Sequence, residues 1–175
     1  MPEGAGRPRC EIVDMGARPM DAAEALRLAN APASSRARSV RVLEFESPSR
    51  PSAISRIRAR VRKLAAALPF TPGELDDICI AVGEACTNAV KHGFNPLRPV
   101  IGIRMEFSRD ALRVFVSDSG PGFDPANACP PCDDDLCECG RGIICMRGLM
   151  DEVVFHSLEP GTMVELVKRV KGGRS

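Results

Sequence analysis

Glu84 and Asn88 are the residues whose types and spacing first suggest chemistry. They stand four apart in ICIAVGEACTNAVKHG, residues 78–93. On a helix they sit one turn above each other, so a carboxylate that can take or align a proton projects beside an amide oxygen that can ligate a hard cation. Lys91, three residues beyond Asn88, either reaches an anion held there or is an ordinary surface lysine. Farther along, the apolar run 112–117 gives way to Asp118-Ser119-Gly120-Pro121-Gly122. A carboxylate at that turn is either an ordinary turn residue or a rigidly held acceptor, and two positions without Cβ let backbone approach a ligand. Gly140-Arg141-Gly142 opens an apolar-periodic stretch and would offer backbone N–H groups and a helix N-terminus to an anion. Thr162, after Gly161, is a hydroxyl donor or a hairpin-turn residue. Each signal alone is weak, because Gly-x-Gly is more often a turn, and a polar pair beside a buried stripe often satisfies itself.

The elements that must position these groups follow from periodicity. Leu75, Ile78, Val82, Ala85 and Ala89 form a core-facing stripe. Thr71, Pro72 and Glu74 mark the N-terminus of that helix, and Gly93 its C-cap. From Ser39, Val40, Val42 and Phe45 alternate with Arg41, Glu44 and Glu46 as a strand, although Leu43 blurs the period, and SPSRPS ends it. Ile54, Ile57, Val61, Leu64 and Leu68 repeat a helical stripe, leaving Arg56, Arg58, Arg60, Arg62 and Lys63 as a solvated face or a docking patch. Residues 100–107 and 112–117 read as a hairpin around SRDA. A helix runs from Gly140 to about Met150, and 153–156 and 163–170 pair around the turn 158–161. This order predicts an α+β fold, a two-layer sandwich whose mixed, mostly antiparallel sheet carries helices on one face.

The chain has 175 residues, 44% hydrophobic and 27% charged, which fits one globular domain at 39–172 with an appendage. Residues 1–38, rich in Ala, Arg, Pro and Gly, read as a mobile arm in which only 20–30 would form a short helix. A net charge of +1 with no Trp or Tyr argues against nucleic acid as a direct partner, since both phosphate electrostatics and base stacking are poorly served. No run of about 18 apolar residues is present and the N-terminus lacks the apolar core of a signal peptide, so the expectation is a cytoplasmic protein with no membrane contact. Of eight cysteines, Cys10 lies in the arm, while Cys79, Cys86 and Cys145 sit in apolar helical patterns as small hydrophobes. Cys129, Cys132, Cys137 and Cys139, spaced C-x2-C-x4-C-x-C around Asp133, Asp134 and Asp135, stand apart. Four thiolates suit a tetrahedral Zn²⁺, but the spacing is tighter than that of common zinc modules. Reduced thiols without a role, a metal site and a redox-sensitive loop all stay open.

EACTNAVKHG, DSGPGFDP, GRGIICMRGLMDEV and GTMVEL follow one another at single-domain spacing. Together, over about residues 39–170, they resemble the ATP-binding family shared by gyrase, heat-shock chaperones and sensor histidine kinases, the GHKL or Bergerat-fold ATPases. They look most like its bacterial anti-sigma-factor subfamily of serine-protein kinases. The resemblance implies a Bergerat fold that binds ATP with Mg²⁺. Glu84 would be the catalytic acid, Asn88 the Mg²⁺ ligand and Asp118 the acceptor for the adenine amine. Gly120 and Gly122 would lie beside the base, and Gly140, Arg141, Gly142 and Lys91 along the phosphates. Thr162 would be a further donor, and 125–139 the ATP lid, which departs from the family in being short and cysteine-bearing. It further implies a Ser/Thr kinase that phosphorylates an anti-anti-sigma antagonist and sequesters a sigma factor, and members of the subfamily commonly pair as homodimers. The alternative is a nucleotide-gated or non-catalytic partner-binding regulator on the same fold. With His92 and His156 the only histidines, a sensor histidine kinase is disfavoured.

Overall fold

Alternating apolar runs become five strands, and three amphipathic stretches become helices, in the computed structural model, which describes residues 40–122 and 141–171. In chain order they are β1 (Arg41–Pro48), α1 (Pro51–Ala65), α2 (Pro72–His92), β2 (Val100–Phe107), β3 (Ala111–Ser117), α3 (Arg141–Leu149), β4 (Glu152–Leu158) and β5 (Gly161–Arg169). Residues 1–38 and 125–139, expected as an arm and as a lid carrying four cysteines, and Gly140 lie outside the described residues.

The strands form one sheet in the order β1-β2-β3-β5-β4. The expected sheet is mixed and mostly antiparallel; all four strand pairings found are antiparallel, so none of them is the parallel pairing that a mixed sheet implies. Period-two alternation lines one face with Ile101, Ile103 and Met105, then Leu112, Val114 and Val116, then Val164 and Leu166, all buried. Register stacks them in rows, with Ile103 opposite Val116 and Val116 opposite Val164. Ile57 and Val61 of α1, Ile78 and Val82 of α2 and Met146 of α3 close over that face. Each fully buried side chain of this size contributes roughly 1.5–3 kcal/mol relative to exposure.

In β1 the inward residues differ from the sequence reading. Leu43 and Phe45 pack on the core, whereas Val40 and Val42 are exposed. Pairing explains this, because Leu43 lies opposite Met105 and Phe45 opposite Ile103, both inward, and Val42 falls on the open face with Glu44. The Arg60 guanidinium covers the Phe45 ring at 4.0 Å, and Arg62 pairs with Asp76 of α2. Two of the five cations on α1 therefore have contacts within the fold.

The long helix α2 forms as its ends dictate. Thr71 Oγ1 accepts from the Glu74 N–H at 3.2 Å, and Glu74 Oε2 accepts from the Thr71 N–H at 2.9 Å. That reciprocal bond to the Thr71 backbone holds the Glu74 carboxyl below its usual range. Cys79 and Cys86 are buried free thiols, and burial pushes Cys86 up to about 12, so it packs as an inert apolar group. Among the described residues, no helix is long and apolar enough to cross a membrane.

Candidate functional site

The C-terminal half of α2 passes over the ends of β3 and β5, and a cleft opens between them. Its polar lining is Asn88, His92, Asp118 and Thr162, and its roughly 350 Å³ of open space is continuous with solvent. Val116, Phe155 and Val164 from three neighbouring strands supply apolar walls, facing Ala85 and Ala89 of α2. Small residues on that face of α2 keep the cleft from filling.

Asp118 follows the last residue of β3, where the chain leaves the sheet. Its backbone N–H donates to the Thr162 carbonyl at 2.9 Å. One carboxylate oxygen, Oδ1, accepts the N–H groups of Gly120 at 3.0 Å and Thr162 at 3.3 Å. Burial raises the Asp118 pKa, and these two N–H groups pull the other way. The carboxyl is thus oriented through one oxygen, with the second left for an outside donor.

Three glycines make room for it. A Cβ on Gly93 would overlap Asp118 Cγ, and one on Gly161, which has φ +116°, would overlap the Asp118 carbonyl. A Cβ on Gly120 would stand 2.5 Å from Gly93 Cα. Gly93 does cap α2, but at φ −100° it uses no left-handed conformation. Its lack of a side chain serves Asp118 instead. Gly120, expected to bare backbone toward a ring, is needed first by its contact with Gly93. Gly122 has φ +91°, a left-handed value that favours glycine.

At the other end, α3 begins against α2. A Cβ on Gly142 would stand 2.9 Å from Glu84 Oε2 and 3.8 Å from Asn88 Oδ1. The first turn of α3 therefore lies against the carboxylate–amide pair, which places the positive end of that helix beside them. Among the described residues, neither Glu84 nor Asn88 has a side-chain hydrogen-bonding or ionic partner. Together Asp118, Thr162, Asn88, Glu84 and Gly142 form one connected constellation. Lys91 is exposed and does not line the cleft. Arg141 is exposed at the start of α3. Among the described residues no cluster of three or more His, Cys, Asp and Glu could hold a metal; the four cysteines weighed for Zn²⁺ fall outside them.

Sequence reasoning missed Phe155, His92, and the Asp118 role of Gly93 and Gly161. Phe155 had a usable signal, since it shares the core-facing side of its strand with Val153 and lies opposite Val164. Gly93 had none, because its constraint comes from a residue 25 positions away.

Comparisons with known proteins agree on the family. The model of the histidine kinase-like ATPase domain matches residues 47–168. The chain is similar to the serine-protein kinase RsbW of Bacillus velezensis, 32% identical over 149 residues that span 78% of this chain and 90% of that protein. The Bacillus subtilis protein of the same name is 32% identical over 145 residues, 75% and 88% of the two chains. That of Staphylococcus aureus is 32% identical over 139 residues, 74% and 87%. Among solved structures, the RsbU and RsbW domains of a Mycobacterium tuberculosis protein superpose with a TM-score of 0.57 at 21% identity, covering 74% of this chain and 32% of that longer one. That likeness concerns the fold alone.

Proposed function

The chain belongs to the histidine kinase-like ATPase family, and on that premise we propose that it is an ATP-dependent serine/threonine-protein kinase acting as an anti-sigma factor. It phosphorylates a small anti-anti-sigma antagonist, and holds a sigma factor while the antagonist is modified. The reading takes 39–172 as one ATP-binding domain, 125–139 as its lid, the cytoplasm as its compartment, and a pair of copies as the working unit.

The residues fit the nucleotide and its metal. Asp118, fixed through Oδ1, keeps Oδ2 for the exocyclic amine of adenine, and the Val116, Phe155 and Val164 walls suit a flat apolar ring. Gly122 keeps the turn beside the base. Asn88 Oδ1 offers a hard oxygen to Mg²⁺, which takes few protein ligands, and Mg²⁺ when bound offsets charge on the transferring phosphoryl group. Gly140, Arg141 and Gly142 present backbone N–H groups and a helix N-terminus to the phosphates. Glu84 takes or aligns the proton of the attacking hydroxyl. Thr162 adds a hydroxyl on the cleft wall, and Lys91 an ammonium toward the phosphates.

What supports this most is the placement of the Gly142 backbone against Glu84 and Asn88, with Asn88 in turn lining a cleft together with Asp118. The test incubates the protein with labelled ATP and candidate antagonist proteins. Glu84→Ala keeps nucleotide binding but loses transfer by about 10²-fold or more, and Asn88→Ala loses Mg²⁺-dependent binding. Transfer that survives in both variants contradicts the roles. Partner binding with no transfer by the wild type, unaltered in Glu84→Ala, replaces the kinase with a non-catalytic regulator.

A further inference from the structure

Lys168 is the one charged residue on the core-facing row of β5, in line with Val164 and Leu166, and it is 7% exposed. A buried ammonium is costly unless paired, so its partners matter. Its Nζ donates to the Leu149 carbonyl at 2.6 Å and to Asp77 Oδ2 at 3.1 Å. Leu149 ends α3, where a cation suits the negative end of the helix dipole. Asp77 belongs to α2, in the row Asp77, Ala81, Glu84, Asn88, whose spacing of four, three and four shares one face.

Helix α3 therefore runs antiparallel along that face. Gly142 at its start meets Glu84 and Asn88, and Leu149 at its end is tied to Asp77 through Lys168. The connection onward is fixed as well, with the Asp151 N–H donating to Val167 and the Arg169 N–H to Asp151 Oδ2. From Leu149 to Gly142 is about 10 Å at 1.5 Å per residue. A tilt of about 10° at the tied end would carry Gly142 through about 2 Å, and misplacements of about 1 Å cost about 10²-fold at a reacting site.

We infer that Lys168 is a positioning residue that, clamped between Asp77 and the last carbonyl of α3, aims the first turn of α3 at the phosphates beside Glu84 and Asn88. The inference rests on the nucleotide reading above. It separates from a merely structural role because α3 faces the phosphates and not Asp118, so only ligands with phosphates feel its aim.

Wild type, Lys168→Met, Lys168→Arg and Asp77→Asn are titrated with Mg-ATP by calorimetry and with adenosine by NMR. Lys168→Met, which keeps the apolar stem, weakens ATP about tenfold or more and adenosine by less than about twofold. Lys168→Arg restores most of the ATP affinity, and Asp77→Asn gives a smaller loss with the same preference. Equal losses for both ligands, or none for either, overturn the inference. Should Lys168→Met not fold, the ATP-to-adenosine ratio of Asp77→Asn decides, since that variant keeps volume and an acceptor oxygen. A wild type that does not bind Mg-ATP brings down the nucleotide reading and this inference together. A wild type that prefers ATP to adenosine, matched by Lys168→Met, removes this inference alone.

Discussion

Asp118 is approached closely by backbone: a methyl group on Gly93 or Gly161 would collide with it, and one on Gly120 would collide with Gly93. The enclosure has a cost that pH reveals. Burial raises the Asp118 pKa, so the folded protein keeps this proton to higher pH than the unfolded chain does. The stabilisation linked to that proton is complete below the usual carboxylate pKa and is lost as pH rises through the folded value. Asp118→Asn, which retains an acceptor oxygen for Gly120 and Thr162, removes this dependence. In urea unfolding across a pH series, the variant should gain on the wild type as pH rises through and just above the ordinary aspartate range, while its ATP affinity at neutral pH falls. A constant stability difference across that range would contradict the assignment. At this scale the sequence showed which side chains matter, because Glu84, Asn88 and Asp118 sit in local motifs. It did not show what holds them: Gly93 reads as a helix cap and nothing local singles out Lys168, because both act through residues distant in the chain.

Elements were legible where local chemistry and burial agree. In α2 the capping box, the first-turn proline and the apolar stripe all coincide with the helix found, and β2 begins and ends where its apolar run does. In β1, by contrast, Val42 and Leu43 compete for the core, and only pairing with β2 decides for Leu43. The cap of α2 lies at the end far from Glu84, so it should matter to stability and not to chemistry. Thr71→Ala should cost about 1 kcal/mol in urea unfolding and leave nucleotide affinity within about twofold of wild type. A larger effect on binding than on stability would mean that the two ends of α2 are coupled. Its opposite end, against α3, carries the site, and there the small residues Ala85 and Ala89 leave space that larger ones would fill.

As a whole the molecule is a sheet whose strands line one cleft together with α2, with the start of α3 set against α2 beside it. β3 ends in the carboxylate, α2 carries the acid and the amide, and α3 brings its positive end to them. The sequence predicted this layering because apolar periods of two and of 3.6 alternate along it. The order β1-β2-β3-β5-β4, which brings Thr162 beside Asp118, depends on long-range pairing that periodicity does not encode. Convergence of these parts on one ligand is most directly measured by NMR with Mn²⁺-ATP in place of Mg²⁺-ATP. The paramagnetic ion should broaden the amides of Glu84–Asn88 and of the first turn of α3 only when ATP is present, while the base shifts the amides of Asp118, Gly120 and Thr162. Broadening that needs no ATP, or that appears on a surface away from α2 and α3, would contradict a shared nucleotide site.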